Sequence, residues 1–230
     1  MNKKERYVYE VFQNIASGYD KANNRISTGL HLRWKSAGIA ALAKRLPKGG
    51  RLLDMGCGTG DIIRLIKERR PDIRALGVDF SPKMLEVAGV NLRGIPDVRL
   101  EEGNVTNLSY EGGFFDGVTI SFALRNTSDY GGVIKEAYRL LSGGGYMMCI
   151  DSFVPENPII RPFYSLYFNV FMPLIGGGIR KRRQYRWLAE STKEFITAGD
   201  LIRLLKKAGF RNVRSKSFML GACVCVIGKK

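Results

Sequence analysis

Asp54, Gly56, Gly58 and Gly60 stand at alternate positions in the run Arg51 to Asp61, Arg-Leu-Leu-Asp-Met-Gly-Cys-Gly-Thr-Gly-Asp. Glycine there lets the backbone take φ > 0 and lets a ligand approach without meeting a Cβ, so an acid followed by such a run suits a ligand-holding turn. Two apolar residues lead in and an amphipathic run leads out, which reads as strand, loop and helix; Thr59 and Asp61 suit the electropositive helix start. A dinucleotide-binding loop would place its third glycine at position 61, where Asp61 stands instead. Asp79 follows nineteen positions past Gly60, where nucleotide-binding αβ folds carry an acid that accepts from both ribose hydroxyls. Phe80 and Met84 could flank an adenine ring or pack into a core.

The elements that must position these residues alternate between strand and helix. Helix is expected over Asp61 to Arg70, ended by Pro71, and from Ser81-Pro82, with serine as N-cap. Strands are expected over Arg74 to Phe80, Asp97 to Gly103, Phe114 to Phe122 and Tyr146 to Ile150; a helix from Tyr130 to Leu141 closes in the turn Ser142 to Gly145. This rhythm predicts an α/β fold, a mainly parallel sheet with helices on both faces, with ligands beyond the carboxyl ends of the strands. Thr59, Asp79, Asn104 and Ser121 all fall at such ends. Before the glycine loop, Tyr7, Val8, Val11, Phe12 and Ile15 share a helical face that breaks at Ser17-Gly18. Tyr19 to Asn24 is polar and turn-prone, either a surface connection or a lid. His31 to Leu46 is helical, with Leu32, Ile39, Leu42 and Leu46 as its stripe and Arg33, Lys35, Lys44 and Arg45 away from most of it. His31, the lone histidine, suits a cap or hydrogen bond better than a base. Near the C-terminus, Thr197 and Asp200 have capping-box spacing for a helix through Ala208, and Phe210 to Lys230 offers an antiparallel hairpin around Leu220-Gly221.

With 230 residues and 45% hydrophobic content, one domain over 1–230 is expected, carrying insertions. The formal charge of +16 implies attraction to polyanions, nucleic acid or an anionic membrane surface. Cys57, Cys149, Cys223 and Cys225 lack metal-ligand spacing and read as buried thiols, so no metal is expected. Met1 to Glu10 is basic without an apolar h-region, which predicts a cytoplasmic chain with reduced thiols. Pro158 to Gly178 carries Phe163, Tyr164, Tyr167, Phe168, Phe171, Met172 and Ile175 at helical spacing, too interrupted for the roughly 20 apolar residues of a membrane span. A substrate lid, a membrane-facing insertion and a core helix all fit this stretch. Arg180 to Arg183 follows, suited to an anionic membrane, to RNA or to solvent.

The Gly-x-Gly-x-Gly run after Asp54 resembles the first motif of class I S-adenosylmethionine (SAM) methyltransferases, whose ligand carries a sulfonium and an ammonium. Nearly the whole chain resembles the ubiquinone/menaquinone biosynthesis C-methyltransferase family. Matching stretches include Phe12, Ile15-Ala16 and Tyr19-Asp20, then Asn24, Ser27, Gly29-Leu30-His31 and Trp34. They continue through Gly77 to Pro82, Thr119 to Asn126, Pro173 to Gly176 and Tyr185. Departures are Ala123 for the usual glycine, Asp151 for the usual glutamate, Val226 for a histidine, and the basic run 180–183.

The resemblance implies a Rossmann-like class I methyltransferase sheet with a C-terminal antiparallel hairpin, an N-terminal helical lid over 1–46 and an aromatic and basic substrate lid over 155–190. It implies SAM as cofactor, bound by Thr59, Asp79, Asn104, Val105 and Ser121, with Asp54, Gly56, Gly58, Gly60, Phe80 and Met84 around it and Tyr19 closing over its methionine part. The implied acceptor is a prenylated quinol of the demethylmenaquinol kind, in menaquinone or ubiquinone biosynthesis, met by Tyr19, His31, Arg125, Asn126, Phe163, Tyr167 and Phe171. An aromatic carbon is a poor nucleophile until a neighbouring hydroxyl, of pKa about 10, loses its proton, and Arg125 is the residue expected to polarise that hydroxyl. A structural salt bridge is the other reading of Arg125. Other acceptors remain open: another small molecule or lipid, RNA, or none in an inactive SAM-binding module. Ser121-Phe122-Ala123-Leu124 lacks the Asn/Asp-Pro-Pro-aromatic motif of base-amine methyltransferases, which makes nucleic acid the lesser partner. The residues leave oligomeric state, a homo-oligomer included, open.

Overall fold

The computed structural model describes residues 3–166 and 190–230. The expectations for Tyr167, Phe171 and the basic run 180–183 lie outside the described residues, as does the side chain of Phe163. The strands are β1 (Arg51–Met55), β2 (Arg74–Asp79), β3 (Val98–Glu102), β4 (Phe115–Ser121), β5 (Leu141–Ser152), β6 (Arg211–Phe218) and β7 (Cys223–Lys229). They form one sheet in the order β3-β2-β1-β4-β5-β7-β6. The first five run parallel, and β7 inserts antiparallel between β5 and β6. The expected α/β architecture and closing hairpin are therefore present.

Helices α1 (Lys3–Ile15), α2 (Tyr19–Ser27) and α3 (Leu30–Ala43) precede the sheet; α4 (Asp61–Arg69), α5 (Pro82–Asn91) and α6 (Tyr130–Leu140) cross between strands. After β5 come α7 (Ile160–Leu166) and α8 (Ala198–Lys207). The two-residue period of the strands builds the core on both faces. Met147, Cys149, Val224 and Val226 point into a cluster with α6 and α8, while Met148, Ile150, Cys223 and Cys225 point into one with α3 and α4. All four cysteines are buried and free.

Three local expectations change. Tyr19 to Asn24 is the start of helix α2, because Ala22 and Ile26 bury against α1 and α5 and the helix stops only at left-handed Thr28 and Gly29. Ser142 to Gly145 belongs to β5: Gly144 N donates to Lys230 O and Lys230 N to Gly145 O, so the end of the chain supplies the partners that a turn would have needed. Lys35 is buried, against the expectation that it lies away from most of the apolar stripe. Helix α3 lies flush on the sheet: a Cβ on Gly38, one turn further on, would come within 2.8 Å of Met148 Sδ. Positions 32, 35, 39, 42 and 46 form one helical stripe, and Lys35 is a member of it.

Helix starts and stops follow local chemistry. Ser81 Oγ accepts from Met84 N with Pro82 at the first helical position, and Thr197 and Asp200 form the complete capping box. Arg70 Nη1 donates to Ala43 O and Leu46 O, satisfying carbonyls at the end of α3. Gly60 joins the loop to α4 at φ +89°, and a Cβ there would come within 2.7 Å of Leu92 Cδ1. Gly58, at φ +53°, has nothing within 4 Å of such a Cβ. Left-handed backbone costs an alanine about 1–2 kcal/mol at either position. Gly60→Ala is therefore expected to lower stability more than Gly58→Ala, read as the difference in urea midpoint at unchanged slope.

Candidate active site

The parallel strands deliver their carboxyl ends to one edge of the sheet, and the residues singled out above meet there. Gly56 N and Cys57 N both donate to Val78 O, at 2.8 and 3.0 Å, which stitches the glycine loop to the end of β2. Gly58 N and Ser81 N donate to the two oxygens of Asp79, at 2.8 and 2.9 Å. Asp79 thus caps a turn as well as facing the cavity, and its remaining lone pairs are what a ribose could use. Gly56, at φ +72°, is a close approach: an added Cβ would fall 2.7 Å from Ala123 Cβ.

Asp54 is almost fully buried. Its Oδ1 accepts from Thr119 Oγ1 at 2.7 Å, while Oδ2 has no hydrogen-bond partner among the described residues. Burial pushes its carboxyl up to about 7, with the charges of Asp79 and Asp61 adding to the rise and Thr119 and Lys35 opposing it. An orphaned acidic oxygen facing a cavity fits a ligand that brings positive charge and N–H donors.

Eleven of the twelve residues assigned to the cofactor line one cavity beside this loop. Gly60 is the exception; its left-handed backbone and its contact with Leu92 explain the glycine. Phe80 and Met84 line the cavity and also pack on α1 and α2, so the core packing is present and both side chains border the space beside the loop. Asn104 Oδ1 accepts from Thr106 N and Thr106 Oγ1, fixing the turn after β3. Ser121 Oγ has no hydrogen-bond partner among the described residues. Thr59 Oγ1 donates to Asp20 Oδ1 at 2.7 Å, and Asn91 Nδ2 donates to Asp20 Oδ2 and to Thr59 O. Asp20 thereby ties α2 to the loop and to α5, and Tyr19 beside it joins the wall.

A second cavity opens on the far side of Tyr19, lined by His31, Trp34, Arg125, Tyr164 and Met219 among others. Asn126, expected with the acceptor, lines the first cavity instead. Tyr19, Lys35 and Phe122 line both, so these three stand where the cavities meet. Arg125 is buried and its Nη1 donates to Asp151 Oδ1, while its backbone N donates to Asp151 Oδ2 at 3.3 Å. The salt-bridge reading of Arg125 is thus realised, yet Nε has no hydrogen-bond partner among the described residues. His31 shares a 2.6 Å contact between Nδ1 and Ser27 Oγ, and burial with the nearby Lys35 charge pushes it down to about 4. It is neutral at physiological pH.

Lys35, Asp61, Phe122 and Asp20 were not singled out from the sequence as site residues. Lys35 Nζ donates to Asp61 Oδ2 at 2.9 Å. His31 and Lys35 stand four apart on one helix, a spacing that could have flagged the pair. Phe122 adopts φ +54° and carries no sequence signal for it.

The model of the ubiE/COQ5 methyltransferase family matches residues 1–230. Demethylmenaquinone methyltransferases of Staphylococcus aureus, strains JH9 and Newman, are each 39% identical over 231 residues, covering 100% of this chain and 94% of theirs. Among solved structures, a SAM-dependent methyltransferase from Thermotoga maritima superposes with TM-score 0.65 at 21% identity, covering 96% of this chain and 99% of that one. A SAM-dependent methyltransferase from Aquifex aeolicus superposes with TM-score 0.57 at 16% identity, covering 80% and 84%. At those identities the two structures establish the Rossmann-like sheet.

The state of Asp54 has a consequence for binding. A cationic ligand favours the ionised carboxylate, so affinity for SAM should rise with pH through the range where Asp54 ionises. With the carboxyl at about 7, the dissociation constant is expected to fall by at most about tenfold between about pH 6 and pH 8, because the ligand's own α-ammonium, of pKa about 7.7–8.0, loses charge at the upper end. His31, already neutral there, contributes nothing. Calorimetric titration at several pH values is expected to show this slope in the natural protein and its loss in Asp54→Asn.

Proposed function

The chain belongs to the ubiE/COQ5 methyltransferase family and is a SAM-dependent methyltransferase, and from that premise we propose that it methylates a ring carbon of a prenylated quinol of the demethylmenaquinol kind. The observation that carries this reading is the pair of cavities meeting at Tyr19, Lys35 and Phe122, with the Arg125 guanidinium on the acceptor side. SAM, when bound, supplies an electrophilic methyl group. Thr59, Asp79, Asn104, Val105 and Ser121 hold it on this reading, with Asp54 facing its positive charge.

The chain's own work is to align the acceptor, exclude water and favour the phenolate. Arg125, a permanent cation, polarises the hydroxyl next to the accepting carbon. Asp151 holds the guanidinium in place without competing for Nε. The methyl group that SAM would supply would join the ring carbon beside that hydroxyl, leaving the bonding electrons on sulfur, and the ring would regain its aromaticity as the proton of that carbon passes to the oxygen held by Arg125. Residues 1–46 act as a lid, with Asp20 as the latch seen on Thr59. Residues 155–190 take the prenyl tail, through Phe163, Tyr167 and Phe171. A ubiquinone-type acceptor uses the same chemistry. The substrate's tail and the charge of +16 favour work at an anionic membrane surface from the cytoplasm, and no described helix is long and apolar enough to cross a membrane.

Transfer of labelled methyl from SAM to demethylmenaquinol is the test, with extracted cell lipids and RNA as rival acceptors. Labelled quinol supports the reading; label in RNA alone overturns it. Arg125→Ala by itself would leave Asp151 as an uncompensated buried charge, at a cost of about 3–5 kcal/mol. Arg125→Met combined with Asp151→Asn removes both charges. That double variant is expected to fold, to bind SAM as before and to lose at least roughly 100-fold in turnover.

A further inference from the structure

Phe122 is out of place by the ordinary rules of backbone conformation. It follows the last residue of β4 at φ +54°, where a bulky side chain is costly. Its backbone N–H donates to Ile150 O at 2.8 Å and its carbonyl accepts from Asn126 Nδ2, so the neighbouring strand and loop hold the unfavourable conformation. The result is a ring presented to both cavities. Strain held by surrounding hydrogen bonds at a cavity junction points to a role for the side chain it aims.

Two buried cations approach that ring. Lys35 Nζ lies 5.5 Å from the ring centroid and the Arg125 guanidinium carbon 5.7 Å from it. They arrive from different elements, Lys35 from α3 and Arg125 from the turn after β4. Each is tethered by one acid, Asp61 or Asp151, and each keeps donors to spare. Lys35 has three N–H groups and one hydrogen-bond partner among the described residues; Arg125 keeps its Nε–H. Tethering acids fix where each cation sits and cancel most of the repulsion between them. A single cation would suffice to polarise one hydroxyl. Two, both within reach of one ring lying on Phe122, match a ring that carries oxygen at both ends.

We propose that Lys35 forms a second oxygen-binding subsite, so that the acceptor cavity reads a 1,4-dihydroxyarene by both of its oxygens, with Phe122 as the surface beneath the ring. Arg125 takes the hydroxyl beside the accepting carbon, and Lys35 takes the hydroxyl para to it. Lys35 thereby acts as a specificity residue: it aligns the ring and discriminates against arenes with one hydroxyl. This inference rests on the quinol reading of the acceptor.

The test compares two synthetic acceptors, 2-prenyl-1,4-naphthalenediol and 3-prenyl-1-naphthol, which share the reacting carbon and its neighbouring hydroxyl and differ in the distal one. The readout is the ratio of kcat/KM for diol over naphthol, in the natural protein, in Lys35→Met and in Lys35→Met/Asp61→Asn. The double variant leaves no uncompensated acid behind, and a ratio cancels any loss of folded protein or of SAM affinity. The natural protein is expected to favour the diol, and both variants are expected to lose roughly 10- to 100-fold of that ratio. An unchanged ratio in the variants overturns the subsite while leaving the quinol reading intact. No transfer to either acceptor by the natural protein overturns the quinol reading, and the subsite with it.

Discussion

Charge has to be buried at the carboxyl edge of this sheet, and the way each charge is compensated decides what the edge can bind. Both faces of the strands are covered by helices, so Asp54, Asp79, Arg125 and Asp151 sit at a few per cent exposure or less. An unpaired ion in such surroundings costs several kcal/mol. Arg125 and Asp151 neutralise one another, Asp79 collects two backbone N–H groups, and Lys35 pairs with Asp61. Asp54 has a single hydroxyl donor and is driven toward its neutral form. The least compensated acid therefore faces the cavity in which a cationic cofactor would lie; of the cations with donors to spare, Arg125 faces the second cavity and Lys35 the junction of the two.

Backbone conformation at the same edge serves that division. Gly56 and Gly58 take left-handed backbone so that the loop can fold back onto Val78 and Asp79, and Phe122 takes it without glycine's freedom. Asp20 then carries the N-terminal helices into the site: its carboxylate accepts from Thr59 and Asn91, while Phe12, Ile15 and Ala22 pack on Met84 of α5. The apolar contacts hold those helices to the domain, and the carboxylate sets their register on the loop.

Much of this was legible in the residues. The strand-helix rhythm gave the sheet, and the alternate glycines with Asp79, Asn104 and Ser121 marked one cavity because all of them stand at strand ends. Lys35 was misplaced because lysine is usually solvated, although the stripe 32, 35, 39, 42, 46 contains it; its partner Asp61 is 26 positions away, and no local pattern reports such a pairing. The helix over Tyr19 to Ser27 was hidden by polar residues that favour turns in isolation and are overruled here by the burial of Ala22 and Ile26. The resemblance groups Asn126 with Arg125 on the acceptor, yet these neighbours after β4 face different cavities. Phe122 could not be read at all, since nothing in its surroundings along the chain requires left-handed backbone.

The central claim is that the methyl group goes to carbon, on a ring whose hydroxyl is polarised beside it. Transfer from SAM bearing a trideuterated methyl, followed by nuclear magnetic resonance of the product quinol, locates the new group directly. The account predicts a deuterated methyl on the ring carbon next to a free hydroxyl. A deuterated methyl on oxygen, giving an ether, would contradict it.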